Sequence, residues 1–347
     1  MTSLTTNRRT FLLGTLAAGA STALAAGGDP VQAARDRARK QGLITANLGI
    51  TTGINASEIY YGQAKKIWQK HGIDPKPLSF ADAVTMRDSL ISGKIDLAAQ
   101  APFHVYISQL KGIPLKIVGN RRNIVDITLV VQAGEARSIR TVADLKGRKI
   151  GVATIGAWDW GIVYQYLHRA GLDPRTAVSF VAGQNGPQLL AAKQVDAAEG
   201  NAPQVYQMLD SGTAKVLINP FDPAVHQHYF GARRVMSRAW LTHQNVIDHK
   251  PHLIKGVIAA TNEIFSDMLK ARTSTLVDLL KPYYPDATTS QLQRGVDNDL
   301  KHAIPSDSAM SRAAYYHDQQ IFINAGLVAR KVPFSRAVDA KWAGATE

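Results

Sequence analysis

The sequence contains no cysteine. That absence excludes structural disulfides, cysteine–zinc sites, iron–sulfur clusters and a lipid-modified N-terminal cysteine. A chain of 347 residues does not need disulfides, because it is long enough for two ordinary domains, each with its own core. Long apolar runs are also missing. Beyond the N-terminus no segment is long and apolar enough to span a bilayer, so the remainder reads as soluble. There is no Gly-x-Ser-x-Gly elbow, no Walker loop and no Gly-x-Gly-x-x-Gly run. The sequence signals of a nucleophile elbow and of phosphate-cradling loops are therefore absent. His249-x-x-His252 and His226-x-His228 have metal-like spacings, but nothing completes either set and Pro251 interrupts the first. No metal and no cofactor is expected.

Acidic residues are the scarcer charge, 27 against 40 Lys and Arg, giving a formal +13. Such a balance suits nucleic acid, an anionic surface or an anionic ligand. The basic residues are scattered, however. Lys65-Lys66, Arg121-Arg122 and Arg233-Arg234 are isolated pairs with no interleaved aromatics, which reads as a solvated basic surface and no nucleic-acid partner.

The N-terminus reads as an address. Arg8-Arg9 precede a Gly- and Ala-rich apolar stretch, Phe11 to Ala26, containing the small-x-small triplet Ala23-Leu24-Ala25. Residues 1–25 resemble a twin-arginine export signal, which implies a mature protein outside the bacterial cytoplasmic membrane, in the periplasm. Residues 26–42 read as a polar linker.

The chain beyond is α/β. Leu43–Ile50, Pro77–Phe80, Ile95–Ala99 and Leu115–Val118 read as strands, and helical patterns separate them, the first running from Ser57 to about Lys70. The rhythm restarts with strands at Ile127–Gln132, Gly147–Val152, Ala177–Val181 and Val195–Glu199. One segment has an echo. Lys94-Ile95-Asp96-Leu97-Ala98, followed by Ala101-Pro102, recurs as Gln194-Val195-Asp196-Ala197-Ala198, followed by Ala202-Pro203. This predicts two similar α/β lobes. From Arg238 onward the pattern is mostly helical, and much of it is expected to pack on the first lobe.

The run Thr141–Val152 (Thr-Val-Ala-Asp-Leu-Lys-Gly-Arg-Lys-Ile-Gly-Val), the two Asp/Ala-Pro segments and Ser237-Arg238-Ala239-Trp240-Leu241 resemble the periplasmic solute-binding proteins of the nitrate/sulfonate/taurine type. The resemblance covers about residues 43–335. It implies a type II periplasmic-binding fold: two Rossmann-like lobes joined by two hinge strands, with the ligand in the cleft. Lobe one is then 43–129 with 236–347, lobe two is 130–235, and the crossings lie near Thr128–Gln132 and Arg233–Ser237. It implies a monomeric component of an ABC importer that hands a small-molecule ligand to a membrane permease, and no enzymatic activity. The competing class is an enzyme on this scaffold. The export signal argues against it, and the lack of cysteine removes the cysteine-rich motif of pyrimidine synthases.

In open α/β sheets ligands bind beyond the carboxyl ends of the strands. Those ends supply the candidate contacts Thr51, Asn55, Ser57, Asp82, Gln100 and Ala101 in lobe one. Lobe two supplies Thr154, Gly156, Ala157, Trp158, Asn185 and Asn201. Several of these loops enter helices, whose free N–H groups favour an anionic head group. Ser57, Asp82 and Thr154 are equally suited to capping those helices. Gln100 and Asn201 occupy equivalent positions in the two lobes. Gly53, Gly156, Gly186 and Gly200 allow close backbone approach, and Trp158 suits stacking on a ligand. Among the arginines that could clamp an anion, Arg233, near the hinge, ranks first. Asp159 does not fit an anion site: it either points away or binds an amine. The expected ligand is a small sulfonate or other organic anion. The alternatives are a heteroaromatic such as a thiamine-precursor pyrimidine, or nitrate.

Overall fold

In the computed structural model the described residues are 42–51, 53–183 and 186–346. The export signal and nearly all of the linker fall outside them. Strands β1 (Ile44–Ile50), β2 (Ile73–Ser79), β3 (Leu97–Gln100) and β4 (Leu115–Arg122) come first. After them come β5 (Thr128–Gln132), β6 (Lys149–Val152), β7 (Ser179–Ala182), β8 (Ala197–Gly200) and β9 (Ala214–Ile218), and far downstream β10 (Arg238–His243). They form two five-stranded sheets, β2-β1-β3-β10-β4 and β7-β6-β8-β5-β9.

The two orders are one design. In each sheet three parallel strands are followed by one antiparallel strand and then an edge strand. The antiparallel strand is always the one that arrives from the other lobe. β5 enters the second sheet directly after β4, and β10 returns to the first between β3 and β4. The crossings are residues 123–127 and 231–237. The crossing expected near Thr128–Gln132 lies just before it, and the strand expected at Ile127–Gln132 is β5. Its Thr-Leu-Val-Val run is buried on both faces between β8 and β9, which only a central strand can offer. The boundary drawn at 129/130 therefore cuts a strand.

The repeated Asp is what the sheets have in common. Asp96 and Asp196 stand just before β3 and β8. The Asn47 N–H donates to Asp96 Oδ2 at 2.9 Å, and the Lys149 N–H donates to Asp196 Oδ2 at 2.7 Å. Each Asp N–H returns a bond to the carbonyl of that same partner residue. Each carboxylate thus fixes the start of its strand against β1 or β6. Lys250 pairs with Asp96 at 2.7 Å and Arg148 with Asp196 at 3.3 Å.

Helices differ from expectation in two places. The first does not run unbroken to Lys70. It spans Ser57–Ala64, stops where Lys66 adopts φ +57°, and resumes as Ile67–Lys70. The C-terminal helix Arg312–Asn324 packs on both lobes. Phe322 meets the ring of Phe103 at 4.8 Å, the Tyr106 hydroxyl donates to Asp318 at 2.8 Å, and Asn324 donates to Gln165 at 3.3 Å. A Cβ on Gly161 would lie 2.8 Å from the Phe322 ring, so only glycine lets the two helices approach this closely. Helix Pro251–Met268 covers the first sheet through Leu253, Ile254, Val257, Ile264 and Phe265. Among the described residues no helix is long and apolar enough to cross a membrane.

The Asp–backbone clamps generate a ranking. Asp96→Ala should lower unfolding free energy by about 2–3 kcal/mol, the range for hydrogen bonds to a charged group. Asp196→Ala should cost less, because its side chain is 27% exposed against 5% for Asp96. Urea denaturation of both variants checks the order.

Candidate ligand-binding cleft

The carboxyl ends of β6 and β8 surround a cavity of about 110 Å³, lined chiefly by Glu199, Asp159, Asn201, Gln204, Ile127 and Gly186. Local folding places each of them. Glu199 is the penultimate residue of β8 and is held by the Ala153 N–H, which follows β6 and donates to Oε1 at 3.0 Å. Asp159 lies in the first turn of helix Trp158–Arg169, and Gln204 begins helix Gln204–Asp210. Gly186 presses on the end of β8, where an added Cβ would come within 2.9 Å of the Glu199 carbonyl. Ile127 ends the first crossing.

One cation sits beside this acidic cavity. Arg238, the first residue of β10, pairs with Asp126 at 3.2 Å, and its guanidinium lies 3.8 Å from the Trp158 ring centroid. Burial pushes the Glu199 carboxyl up to about 8, and the neighbouring Asp159 and Asp126 push the same way. The Ala153 N–H and Arg238 oppose them. Asp159 is raised first by burial and then by Asp126, against the pull of Arg238. Asp318 is pushed up to about 8 by burial, with Tyr106 and Arg238 opposing. His104 is driven down to about 3 by burial and by the charges of Arg87 and Arg238.

Of the residues expected at the site, Asn201 lines the cavity. Asn55 does not line it but lies near Asn201: a Cβ on Gly53 would be 3.3 Å from the Asn55 side chain and 3.5 Å from that of Asn201, and the Ile54 N–H reaches the Ala202 carbonyl at 3.5 Å. The Thr51 hydroxyl bonds to Asn55. Ser57 is the first helical residue rather than a cap, and it accepts from Arg122. Asp82 caps its helix, bonded to the Thr85 N–H and hydroxyl. Gln100 donates to the Ala83 carbonyl and leaves its own amide oxygen buried without a partner. Ala101 is buried, while Thr154, Gly156 and Ala157 form the turn before Trp158, the first two exposed. Trp158 is buried beneath Arg238, so its ring offers no open stacking face. Asn185 lies outside the described residues.

The arginines needed the most correction. Arg233 is exposed, and Arg238, five residues on, stands at the cleft instead, because β10 carries its side chain inward. Arg121 and Arg122 are buried and committed. Both bond to Glu58, Arg122 also pairs with Asp299 at 3.1 Å, and Arg121 lies over Trp240 at 4.8 Å. Glu199 and Gln204 were missed. The available signal was a charged residue inside the apolar strand sequence Ala197-Ala198-Glu199.

Two like α/β lobes, two crossings and a polar cavity at the strand ends define the periplasmic binding protein fold. The alkanesulfonate-binding protein SsuA of Xanthomonas axonopodis pv. citri, bound to MOPS, superposes with TM-score 0.69 at 19% identity, over 85% of this chain and 98% of its own. The nitrate-binding protein NrtA of Synechocystis gives TM-score 0.71 at 14% identity, over 86% and 87%. A desulfurization enzyme, DszB, shares the fold at TM-score 0.61 and 13% identity, over 86% and 96%. At these identities the likeness establishes the fold alone. In sequence, a binding protein of Brucella abortus is 25% identical over 228 residues, which is 62% of this chain and 63% of the relative. Residues 54–271 match the family described as NMT1/THI5 like, and the chain belongs to that family.

The raised carboxyls fix a pH dependence. In the fold Glu199 keeps its proton to about pH 8, whereas the unfolded chain releases it near 4.5. The stability this contributes is complete below pH 4.5 and is lost as pH rises to about 8. Asp318, at about 8, and Asp299, at about 7, act with the same sign. Unfolding free energy should therefore fall between pH 5.5 and 8. In Glu199→Gln the fall should be smaller, as read by denaturant titration at the two pH values.

Proposed function

We propose that the protein is the exported solute-binding component of an ABC importer, a monomer that takes a small molecule into the interlobe cleft and presents it to a permease. The observation that carries this is the cavity itself. It lies where binding sites of open α/β sheets lie, beyond the strand ends, and lobe one approaches its lining at Asn201, where Gly53–Ile54 meet Asn201–Ala202. Closure of two lobes about a hinge is the motion this fold uses. The Arg8-Arg9 segment supports export through the twin-arginine route and a periplasmic location.

A second interlobe contact supports a closing mechanism. Asp210 of lobe two pairs with Arg294 at 2.6 Å and accepts from Gln291 at 2.9 Å. Asn298 donates to the Tyr206 hydroxyl at 2.7 Å, and Arg294 lies over the Tyr206 ring at 4.4 Å. These contacts tie lobe two to the helix Thr289–Asn298 of lobe one. The small sulfonate expected from the sequence finds one cation beside the cavity, Arg238, and that cation is already paired with Asp126. Neither a stacked pyrimidine nor nitrate gains a new contact from the buried Trp158. No covalent chemistry is part of this reading.

A thermal-shift screen of sulfonates, nitrate, aromatic acids and pyrimidines tests it. A true ligand at a hundred times its Kd adds about 2.7 kcal/mol of stability and is recovered unchanged; turnover of the ligand would instead make this an enzyme. Arg294→Ala removes a half-exposed pair worth up to about 1 kcal/mol to the closed form. It should raise the ligand Kd by up to about fivefold without touching the cavity.

A further inference from the structure

We infer that the cleft takes a small organic cation, a protonated amine or an amidinium, held between Asp159 and Glu199. This rests on the solute-binding reading and specifies the charge of the solute. The first ground is unmet acceptors. Among the described residues neither carboxylate has an ion-pair partner, and the nearby guanidinium of Arg238 is engaged by Asp126 and by the Trp158 ring. Glu199 is 93% buried, since its exposure is 7%. One of its oxygens accepts from the Ala153 N–H, and the other has no bond to a described residue. Asp159 accepts only from its own backbone N–H, the side chains of Asn201 and Gln204 make no hydrogen bond to described residues, and all three line the cavity. Among the described residues, the side chains lining the space carry two carboxyl groups and two amide oxygens as acceptors, against two amide NH₂ groups as donors. Such a set is satisfied by a ligand that brings N–H donors and positive charge.

The second ground is exclusion. An anion in this space would meet the Asp159 carboxyl and, at pH 8 and above where Glu199 gives up its proton, a second carboxylate in a partly desolvated pocket, where like charges repel far more than in water. Ile127 and the backbone of Gly186 and Gly200 supply the surface for a short apolar stem or a flat ring. Volume sets the scale, because 110 Å³ is well below the several hundred Å³ of sites for drug-sized ligands. The empty cleft eases its own repulsion by holding a proton on Glu199, which faces Asp159, Asp126, Arg238 and the Ala153 N–H. An arriving cation displaces that proton, so its affinity should rise with pH by up to about tenfold per unit until about pH 8.

Isothermal titration of the purified full chain at pH 8 tests the inference. The probes are three cations of rising size (methylammonium, acetamidinium and benzamidinium), the neutral isostere benzamide, the anions benzenesulfonate and nitrate, and Mg²⁺. The expected result is saturable binding of at least one organic cation, at least tenfold tighter than benzamide binds. Glu199→Gln and Asp159→Asn should each weaken that cation at least tenfold, while unliganded Glu199→Gln melts at or above the parent. Loss of binding without loss of stability separates recognition from misfolding. Binding of an anion that Glu199→Gln leaves unchanged or tightens, or binding of Mg²⁺ alone, would overturn the cation and leave the solute-binding reading in place. Saturable binding by no probe would overturn both.

Discussion

A buried guanidinium at the junction of the lobes organises the structure. Arg238 opens β10, the strand by which the chain re-enters the first sheet. Its partner Asp126 lies on the other crossing, so their 3.2 Å contact ties the two crossings together. Trp158, on the first helix turn of lobe two, closes over the guanidinium. The same charge bears on Glu199 and Asp159 in lobe two, on His104 in lobe one and on Asp318 in the C-terminal helix. A single charge at low dielectric thus couples groups from every part of the fold. Desolvating an arginine is unfavourable without a counter-ion, and here Asp126 supplies one where the chain crosses between the lobes.

That arrangement explains how an acidic cavity survives in a basic protein. The formal +13 is spread over the chain, whereas the cleft concentrates carboxylates on one side of one paired arginine. Net charge governs long-range approach and solubility. Recognition is set within a few ångströms, and there the sign is reversed. Helix N-termini, which favour an anion, and the carboxylates beside them therefore act on the same small space with opposite sign. Asp159 was the one sequence residue that did not fit, and it faces the cavity.

Much of the scaffold was legible because its signals are local. The Asp96 and Asp196 segments echo each other since each carboxylate must bond the backbone of the neighbouring strand, a demand repeated in each sheet. Asp82 read as a helix cap and is one. Ser57 and Thr154 fit the same rule and do not cap, because a preceding turn supplies the geometry through backbone bonds alone. The crossing expected near Thr128–Gln132 was set a few residues too late, because connection and central strand share the same apolar pattern.

By itself the sequence determined the α/β class, the duplication and the return at Ser237–Leu241. Each follows from a pattern over a few neighbouring positions: alternation, turn residues and a repeated motif. Only the tertiary structure decided which charges meet. It buried Arg121 and Arg122 against Glu58, left Arg233 in solvent, turned Arg238 inward and faced Glu199 toward Asp159. The physical reason is that Coulomb energy and desolvation depend on distances between residues that the chain separates by tens to more than a hundred positions. No local window carries those distances.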